Sequence, residues 1–443
     1  MKISIGIDSV DSSYGGCTTH ALYYLFKKLL ERDYLERALD YPYLVRLNPS
    51  IPSKTRGNGA VALNIEIRDS VSIECVASDV AAALRDYITE VRGNTSRACV
   101  ALALDEVGSR FRELYFKALT DFVHLDYIAK LVSESRDKLV LPLGFSEGCI
   151  GALAAIGWDR SRCTYELLIY RDVARAQTIE RVVDTDTLAE LDRHLEYRTF
   201  CNYDYEEERA ISIPRGPDPV LLGIRGLDPV KLIDSVKNLK IGEAIGGWLL
   251  FKTNQASGAH LAPRASTELK PFRTGCLTGV VIDITTRPGG DVLLEITDGY
   301  GSMRAAVFKE TGLTRYIRNL VLGDVVRVCG STKLWDDLKH VLHVELVEVI
   351  DLVENYVKNN PKCPKCSARM KSAGRGKGFK CVKCGFKSRN LHLEATIKPR
   401  EVGVGLYLPG CRSAKHLSIP APLSKAELEN CGVRPSSTAD FYF

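Results

Sequence analysis

Residues 6–21 read GIDSVDSSYGGCTTHA. They close a short apolar alternation, Lys2–Asp8, and open a stretch with apolar residues at Leu22, Leu25, Phe26, Leu29 and Leu30, the spacing of one helix face. A strand, a turn and a helix from about Thr18 to Arg37 are therefore expected. Asp8 and Asp11 lie just past the strand, where carboxylates reach into a crevice, and hard oxygen ligands there suit magnesium. Gly15 and Gly16 free the chain to turn, so that the amides of Cys17, Thr18 and Thr19 open a helix, a place that attracts anionic oxygens. Ser12 lies within the same turn. Asp, Ser and Thr are equally the residues of a plain helix cap, and the Gly-Lys-Ser/Thr and dinucleotide glycine patterns are both missing. Taken alone, the stretch is a structural cap or a phosphate and metal site.

Beyond the turn, strand VALNIEI from Val61, a helix over Ser78–Val91, strand ACVALAL and a helix over Arg110–Leu131 follow in the order of a split βαβ, ferredoxin-like unit. Asp228-Pro229 marks a helix start and Trp248–Thr253 a further strand. From Phe272 the pattern turns strand-rich. Gly275–Thr285, Val292–Ile296, Met303–Phe308, a short helix near Thr311–Leu320, Gly323–Gly330 and His340–Val349 give three strands, a helix and two strands, the order of an OB-fold barrel.

A chain of 443 residues exceeds what one core serves, so several domains are expected. With 45% apolar and 26% charged residues it has the composition of a globular protein. No apolar run approaches a membrane span and MKISIGID has no signal layout, so a cytoplasmic protein without a membrane role is expected. The net charge of +5 is uneven: Lys358–Arg400 holds thirteen Lys and Arg against one acidic residue, Glu394. A basic module on a mildly acidic body points to nucleic acid.

Of fourteen cysteines, ten are scattered through apolar segments, among them Cys75, Cys99, Cys149 and Cys329. They read as small buried hydrophobes rather than disulfides. The other four form CPKC and CVKC. Cys363, Cys366, Cys381 and Cys384 have the spacing of two knuckles that offer four thiolates to tetrahedral zinc. Between them ARMKSAGRGKGFK presents Lys371, Arg375, Lys377 and Lys380 among glycines, candidate phosphate contacts beside an OB-type barrel. A solvated basic loop is the plainer reading.

The opening stretch resembles the G-I-D-D-T-D-S…G-x-C-T-T start of the archaeal isoleucine-tRNA agmatidine synthetase family, whose members are isoleucine-tRNA 2-agmatinylcytidine synthetases. The similarity continues through SIPSKTRGNGAVAL, TFCNYDYEEER, PRGPDPVLLGIRG, WLLFKTNQASGAHL, the barrel, the ribbon and GLYLPGCRSAKHL. The resemblance implies a multidomain α/β chain: a discontinuous kinase-type unit over 1–59 and 140–270, a ferredoxin-like domain over 60–139, an OB-fold over 271–354, a zinc ribbon over 358–390 and a C-terminal extension over 391–443. It implies that ATP phosphorylates the C2 oxygen of the wobble cytidine of an isoleucine tRNA with anticodon CAU, that agmatine then displaces phosphate, and that ATP ends as AMP. By position Thr18 is the autophosphorylated threonine, and Asp8 and Asp11 hold magnesium.

Agmatine carries a guanidinium, which prefers a planar carboxylate. Asp204 and Glu206 are candidates, with an exposed acidic loop as the alternative. Asn254 and Gln255 are candidates to read the flipped base or agmatine, and Arg56, Gly57 and Asn58 to contact phosphate or RNA. A monomer is expected. Between the retained aspartates the family has Asp-Thr where this chain has Ser9-Val10. The competing reading is therefore a non-catalytic tRNA or single-stranded nucleic-acid binder with a degenerate ATP site.

Overall fold

The computed structural model describes residues 1–443 except 94–95, 106–107, 173–179, 195–197, 336–339, 424–427, 429–430, 438–440 and 443, and the side chain of Arg56. The first strand, β1 (Lys2–Asp8), lies inside a sheet because Ile3, Ile5 and Ile7 are buried on one face while Gly6 meets a helix on the other. Around it come α1 (Thr18–Leu30), β2 (Leu35–Ala38), β3 (Tyr43–Arg46), β4 (Gly59–Ile67), α2 (Ile73–Glu90), β5 (Cys99–Leu104), α3 (Ser109–Thr120), α4 (Leu125–Glu134) and β6 (Leu139–Val140). A second group follows: α5 (Cys149–Ile156), β7 (Thr164–Arg171), α6 (Thr185–Arg193), β8 (Tyr203–Asp204), β9 (Arg209–Ala210), β10 (Val220–Gly226), α7 (Pro229–Val236) and β11 (Ile245–Thr253).

Both groups share one nine-stranded sheet of order β10-β7-β11-β3-β4-β1-β5-β6, with β2 also on β4. Every pairing in it is antiparallel except the join, where Lys252 and Thr253 of β11 run parallel to Tyr43 and Leu44 of β3. The expected boundaries at 59/60 and 139/140 do not separate units here. β4 and β5, from the stretch expected to be a separate ferredoxin-like domain, flank β1 on either side and share its core. The expected helix over Thr18–Arg37 also ends early, at Leu30, because Leu35–Ala38 pairs with β4. Likewise, the helix expected over Arg110–Leu131 breaks at Asp121, whose carboxylate is drawn to Arg264 (3.0 Å) and Arg273 (2.5 Å).

The OB reading holds strand by strand. β12 (Thr274–Thr286), β13 (Val292–Thr297), β14 (Ser302–Val307), a short α8 (Thr314–Ile317), β15 (Val325–Leu334) and β16 (His340–Asp351) close into a barrel through the β14–β16 pairing. Leu277, Val281, Leu294, Ile296, Val326 and Val347 fill it. The ribbon follows as β17 (Tyr356–Asn359), β18 (Lys371–Ser372), β19 (Phe379–Lys380), β20 (Lys387–Ser388) and β21 (Glu394–Ile397), and β22 (Gly405–Tyr407) returns to β16.

The scattered cysteines are a correction. Eight of the ten are paired as Cys99–Cys149, Cys163–Cys431, Cys201–Cys411 and Cys276–Cys329, with Cα separations of 5.1, 5.7, 5.1 and 4.0 Å. Their partners lie 50 to 268 residues away in the chain, so neither spacing nor local pattern shows the pairing. Cys17 and Cys75 are free. The C-terminus returns to the first domain, where Phe441 is fully buried against Phe26 and Tyr41.

Candidate active site

The turn 9–17 is held from below. Ser12 Oγ donates to the Val91 carbonyl at the end of α2 (2.6 Å) and accepts from the Tyr14 amide, and the Ser12 amide donates to the Gly16 carbonyl (3.0 Å). Gly16 has to be glycine, since a Cβ there would lie 2.6 Å from Val91 Cγ2, and Gly15 takes a positive φ of 108°. Cys17, the N-cap of α1, provides no side-chain cap. Its own amide is taken by the Tyr87 hydroxyl (3.2 Å), so the helix-opening amides left to an anion are those of Thr18 and Thr19. Ser12 and Cys17 thus shape the turn, while Thr18 Oγ1 donates to Asp11 Oδ2 at 3.1 Å. Thr19 Oγ1 lies 3.3 Å from Cys17 Sγ.

Asp8 ends β1 against α5. A Cβ at Gly151 would sit 1.9 Å from Asp8 Oδ2, so the carboxylate occupies the space a side chain would need. Burial, and secondly the Asp11 charge, push its pKa up from 3.8 to about 8. Two carboxylates thus stand side by side at this turn, with the Arg97 charge opposing the upward shift. This donor set fits a hard divalent ion.

Asp8 opens into a cleft of 410 Å³ with Ser9, Lys54, Asn58, Arg97 and Glu147 on its walls. Ser9, where the family has Asp, stands on that wall with φ 62°, a conformation Asp tolerates better than most residues. Val10 is 2% exposed and packs in the core.

Next to the turn lies a buried ionic cluster. Arg46 at the end of β3 pairs with Glu166 of β7 (3.3 Å), which faces Arg225 of β10 at 3.6 Å. Gln255 completes it with its side-chain amide turned so that the nitrogen donates to Glu166 Oε2 (3.1 Å) and the oxygen accepts from Arg225 Nε (2.6 Å), the orientation that satisfies both neighbours. Burial lowers the Arg46 pKa while Glu166 opposes the shift, and the Asp11 charge also reaches Arg46. His416, in the C-terminal segment, is held neutral well below its usual range by Arg46 first, then burial, Arg225 and Lys54. Lys54 therefore stands on the cleft wall and within electrostatic reach of His416.

The remaining candidates divide. Asn254 is fully buried and mimics a strand partner: it accepts from the Arg46 amide (2.7 Å) and donates to the Arg46 carbonyl (2.9 Å) and Tyr115 Oη (3.2 Å). It continues the β3–β11 join and has no donor left to read a base. Asp204 caps its own turn, accepting from the amides of Glu206 and Glu207, and Glu206 is exposed. Asn58 lines the cleft and donates to the Asn48 carbonyl (2.8 Å); Gly57 is left-handed and packs on Arg46; the Arg56 side chain lies outside the described residues. Arg46, Glu166, Arg225 and His416 were not legible as site residues, although Glu166 in TYELLIY is a lone charge inside an apolar strand.

In the ribbon the four sulfurs of Cys363, Cys366, Cys381 and Cys384 lie within 4.8 Å of one another, and the closest pairs are at 3.4 and 3.5 Å. Four thiolates at about 2.3 Å from a zinc ion stand about 3.8 Å apart, so the set fits the metal. Each knuckle closes alike, the Ser367 amide on the Cys363 carbonyl and the Gly385 amide on the Cys381 carbonyl. Lys371, Arg375, Lys377 and Lys380 are all exposed around the β18–β19 hairpin.

Comparison with known proteins matches the chain piece by piece: a TiaS TCKD domain at residues 4–138, a TiaS FLD domain at 146–260, an OB-fold nucleic acid binding domain at 276–350 and a TiaS C-terminal zinc ribbon domain at 360–402. The isoleucine-tRNA 2-agmatinylcytidine synthetase TiaS of Ignisphaera aggregans is 35% identical over 436 residues, 94% of this chain and 92% of that one. The chain belongs to the TiaS family.

TiaS of Pyrococcus horikoshii is also 35% identical, over 96% of this chain and 98% of its own. The crystal structure of apo TiaS superposes with a TM-score of 0.83 at 31% identity, covering 96% of this chain and 98% of that one. The crystal structure of TiaS in complex with its isoleucine tRNA, AMPCPP and agmatine gives 0.78 at 29% identity and the same coverages. TiaS domain models meet between residues 138 and 146, which keeps β4 and β5 with β1.

Proposed function

We infer that this protein is an ATP-dependent isoleucine-tRNA 2-agmatinylcytidine synthetase: it joins agmatine to a cytidine of its tRNA at the expense of ATP. The relationship to TiaS over 94% of the chain carries the reading, and the intact Asp8, Asp11 and Thr18 turn supports it against a non-catalytic binder.

Cytosine C2 holds its oxygen firmly until that oxygen bears a phosphoryl group. Once it does, the agmatine amine attacks C2, the C2–O bond breaks, phosphate departs with the oxygen, and the amine nitrogen sheds a proton. The protein's share is alignment and charge neutralisation. Amides of Thr18 and Thr19 receive phosphate oxygens with the α1 dipole behind them. Asp11 accepts from the Thr18 hydroxyl, which orients that oxygen and makes Thr18 the phosphoryl acceptor within the protein. Asp8 and Asp11 would hold magnesium, which would offset the charge gathering on the transferred phosphoryl group. Zinc is held by the four ribbon cysteines and orders the basic hairpin, whose Lys371, Arg375, Lys377 and Lys380 meet tRNA phosphates. No helix among the described residues is long and apolar enough to cross a membrane. The enzyme works where its tRNA is, in the cytoplasm, as a monomer.

Nucleosides from the isoleucine tRNA incubated with protein, ATP and agmatine should show the mass of an agmatine-modified cytidine. A tRNA that binds yet returns unmodified would leave the binder reading standing.

A further inference from the structure

The C-terminal segment reaches the site from outside the sheet, and it is fastened there covalently. Cys411 is bonded to Cys201 across 210 residues and Cys431 to Cys163 across 268. Between them the loop that follows Gln255 holds the segment as a strand would: the Ala256 amide donates to the His416 carbonyl (2.6 Å) and the Gly258 amide to the Leu417 carbonyl (2.8 Å). A second anchor is in the barrel, where buried Glu345 accepts from Lys415 Nζ (2.8 Å) and Ser418 Oγ (2.5 Å). The result is a cavity of 130 Å³ walled by Arg225, Gln255, Cys411, Arg412, Lys415 and His416. This volume suits a phosphate group; of the cations on its walls Arg225 also faces Glu166, Lys415 Glu345 and Arg412 Glu207 (2.6 Å), and the Arg46 and Lys54 charges reach His416 from the same side.

We propose that residues 411–418 are a phosphate-receiving wall of this cavity, locked in place by the Cys201–Cys411 disulfide, so that substrate affinity follows the thiol–disulfide state of that pair. The proposal rests on the site assignment above. Its ligand is a phosphate group, from the ATP polyphosphate or the tRNA backbone. Closing the lock takes two protons and two electrons from the two thiols and passes them to the disulfide of a dithiol–disulfide oxidoreductase, which becomes a dithiol; a dithiol reductant reverses it. With this bond open, Cys163–Cys431 and the Glu345 contacts still tether the segment, so the wall loosens without leaving.

The test uses full-length, zinc-loaded protein. Denatured in chelator without reductant, it should titrate six thiols, those of Cys17, Cys75 and the four ribbon cysteines, and fourteen after reduction. The Cys201→Ser/Cys411→Ser variant should raise the KM for either ATP or tRNA by about tenfold with kcat within about twofold, and whichever KM moves names the source of the phosphate. Arg412→Gln should raise the same KM. Cys276→Ser/Cys329→Ser, which removes a disulfide inside the barrel, should move neither. Should the first variant melt at the assay temperature, wild-type protein treated with dithiol and then reoxidised gives the same comparison. Fourteen thiols without reductant, or unchanged KM values once the bond is gone, overturn the proposal. Wild-type turnover at saturating substrate remains the separate check on the reaction itself.

Discussion

Thr18 Oγ1 donates to Asp11 Oδ2 at 3.1 Å, and both stand where the first strand hands over to the first helix. A hydroxyl held by a carboxylate at a helix N-terminus is placed both to meet a phosphoryl group and to lose its proton. Thr18→Ala should therefore lower agmatine incorporation by about a thousandfold or more, with no phosphothreonine at position 18 in a peptide map. Its tRNA affinity should stay within about twofold, because the basic ribbon is a separate piece of structure. Thr18→Ser should restore part of the rate. Full turnover by Thr18→Ala would remove this residue from the chemistry.

Asp8 carries a pH signature. Its pKa in the fold is about 8 against 3.8 as a free side chain, so between those values the folded protein binds a proton that the unfolded chain does not. Stability must then fall as pH rises through that window, by up to several kcal/mol for the metal-free protein. Melting temperature measured from pH 5 to pH 8 should drop more steeply in wild type than in Asp8→Asn. Magnesium added at pH 8 should recover much of the loss and release a proton, which calorimetry in two buffers of different ionisation enthalpy would register. Equal slopes for the two proteins would show that Asp8 is ionised without help.

Much of this site was legible because its parts are consecutive: the strand, the carboxylates, the glycines and Thr18 fall within eighteen residues. The zinc set and the barrel were legible for similar reasons, spacing in one case and element order in the other. What escaped is what folding brings together from afar. Glu166 and Arg225 meet Arg46 only because β7, β10 and β11 join the first sheet across β3, and that parallel join has no local signature. Each disulfide is likewise a statement about topology. Asn254 is the opposite case, since an amide at a strand end reads as a recognition group from the sequence and the fold sets it against the Arg46 backbone.

That join makes the role of Asn254 testable. Its side chain gives Arg46 the two hydrogen bonds a further strand residue would have supplied, in a position with no access to water. Asn254→Ala leaves a buried amide and carbonyl unsatisfied and should cost about 2–4 kcal/mol in chemical denaturation. Any loss of activity should track the folded fraction. A variant of normal stability with altered base or amine selectivity would instead restore Asn254 as a recognition residue.

The ribbon should separate cleanly from the rest in a metal-removal experiment. Its strands β17 and β21 pair with each other and β18, β19 and β20 among themselves, with no ladder to the barrel or the large sheet among the described residues. Its small core consists of Cys363, Met370 and Cys381 with a few half-buried neighbours, too little to hold without the ion. Chelation, or Cys381→Ser, should therefore abolish most tRNA affinity while the far-ultraviolet spectrum and the main melting transition change little. Replacing Lys371, Arg375, Lys377 and Lys380 by alanine in the zinc-loaded protein should weaken binding to all tRNAs alike. The slope of log affinity against log salt should flatten by about three, since each lost phosphate contact accounts for roughly 0.7 to 0.9. An unchanged slope would mean that these four side chains face solvent in the complex, and that the ribbon holds its tRNA through other groups.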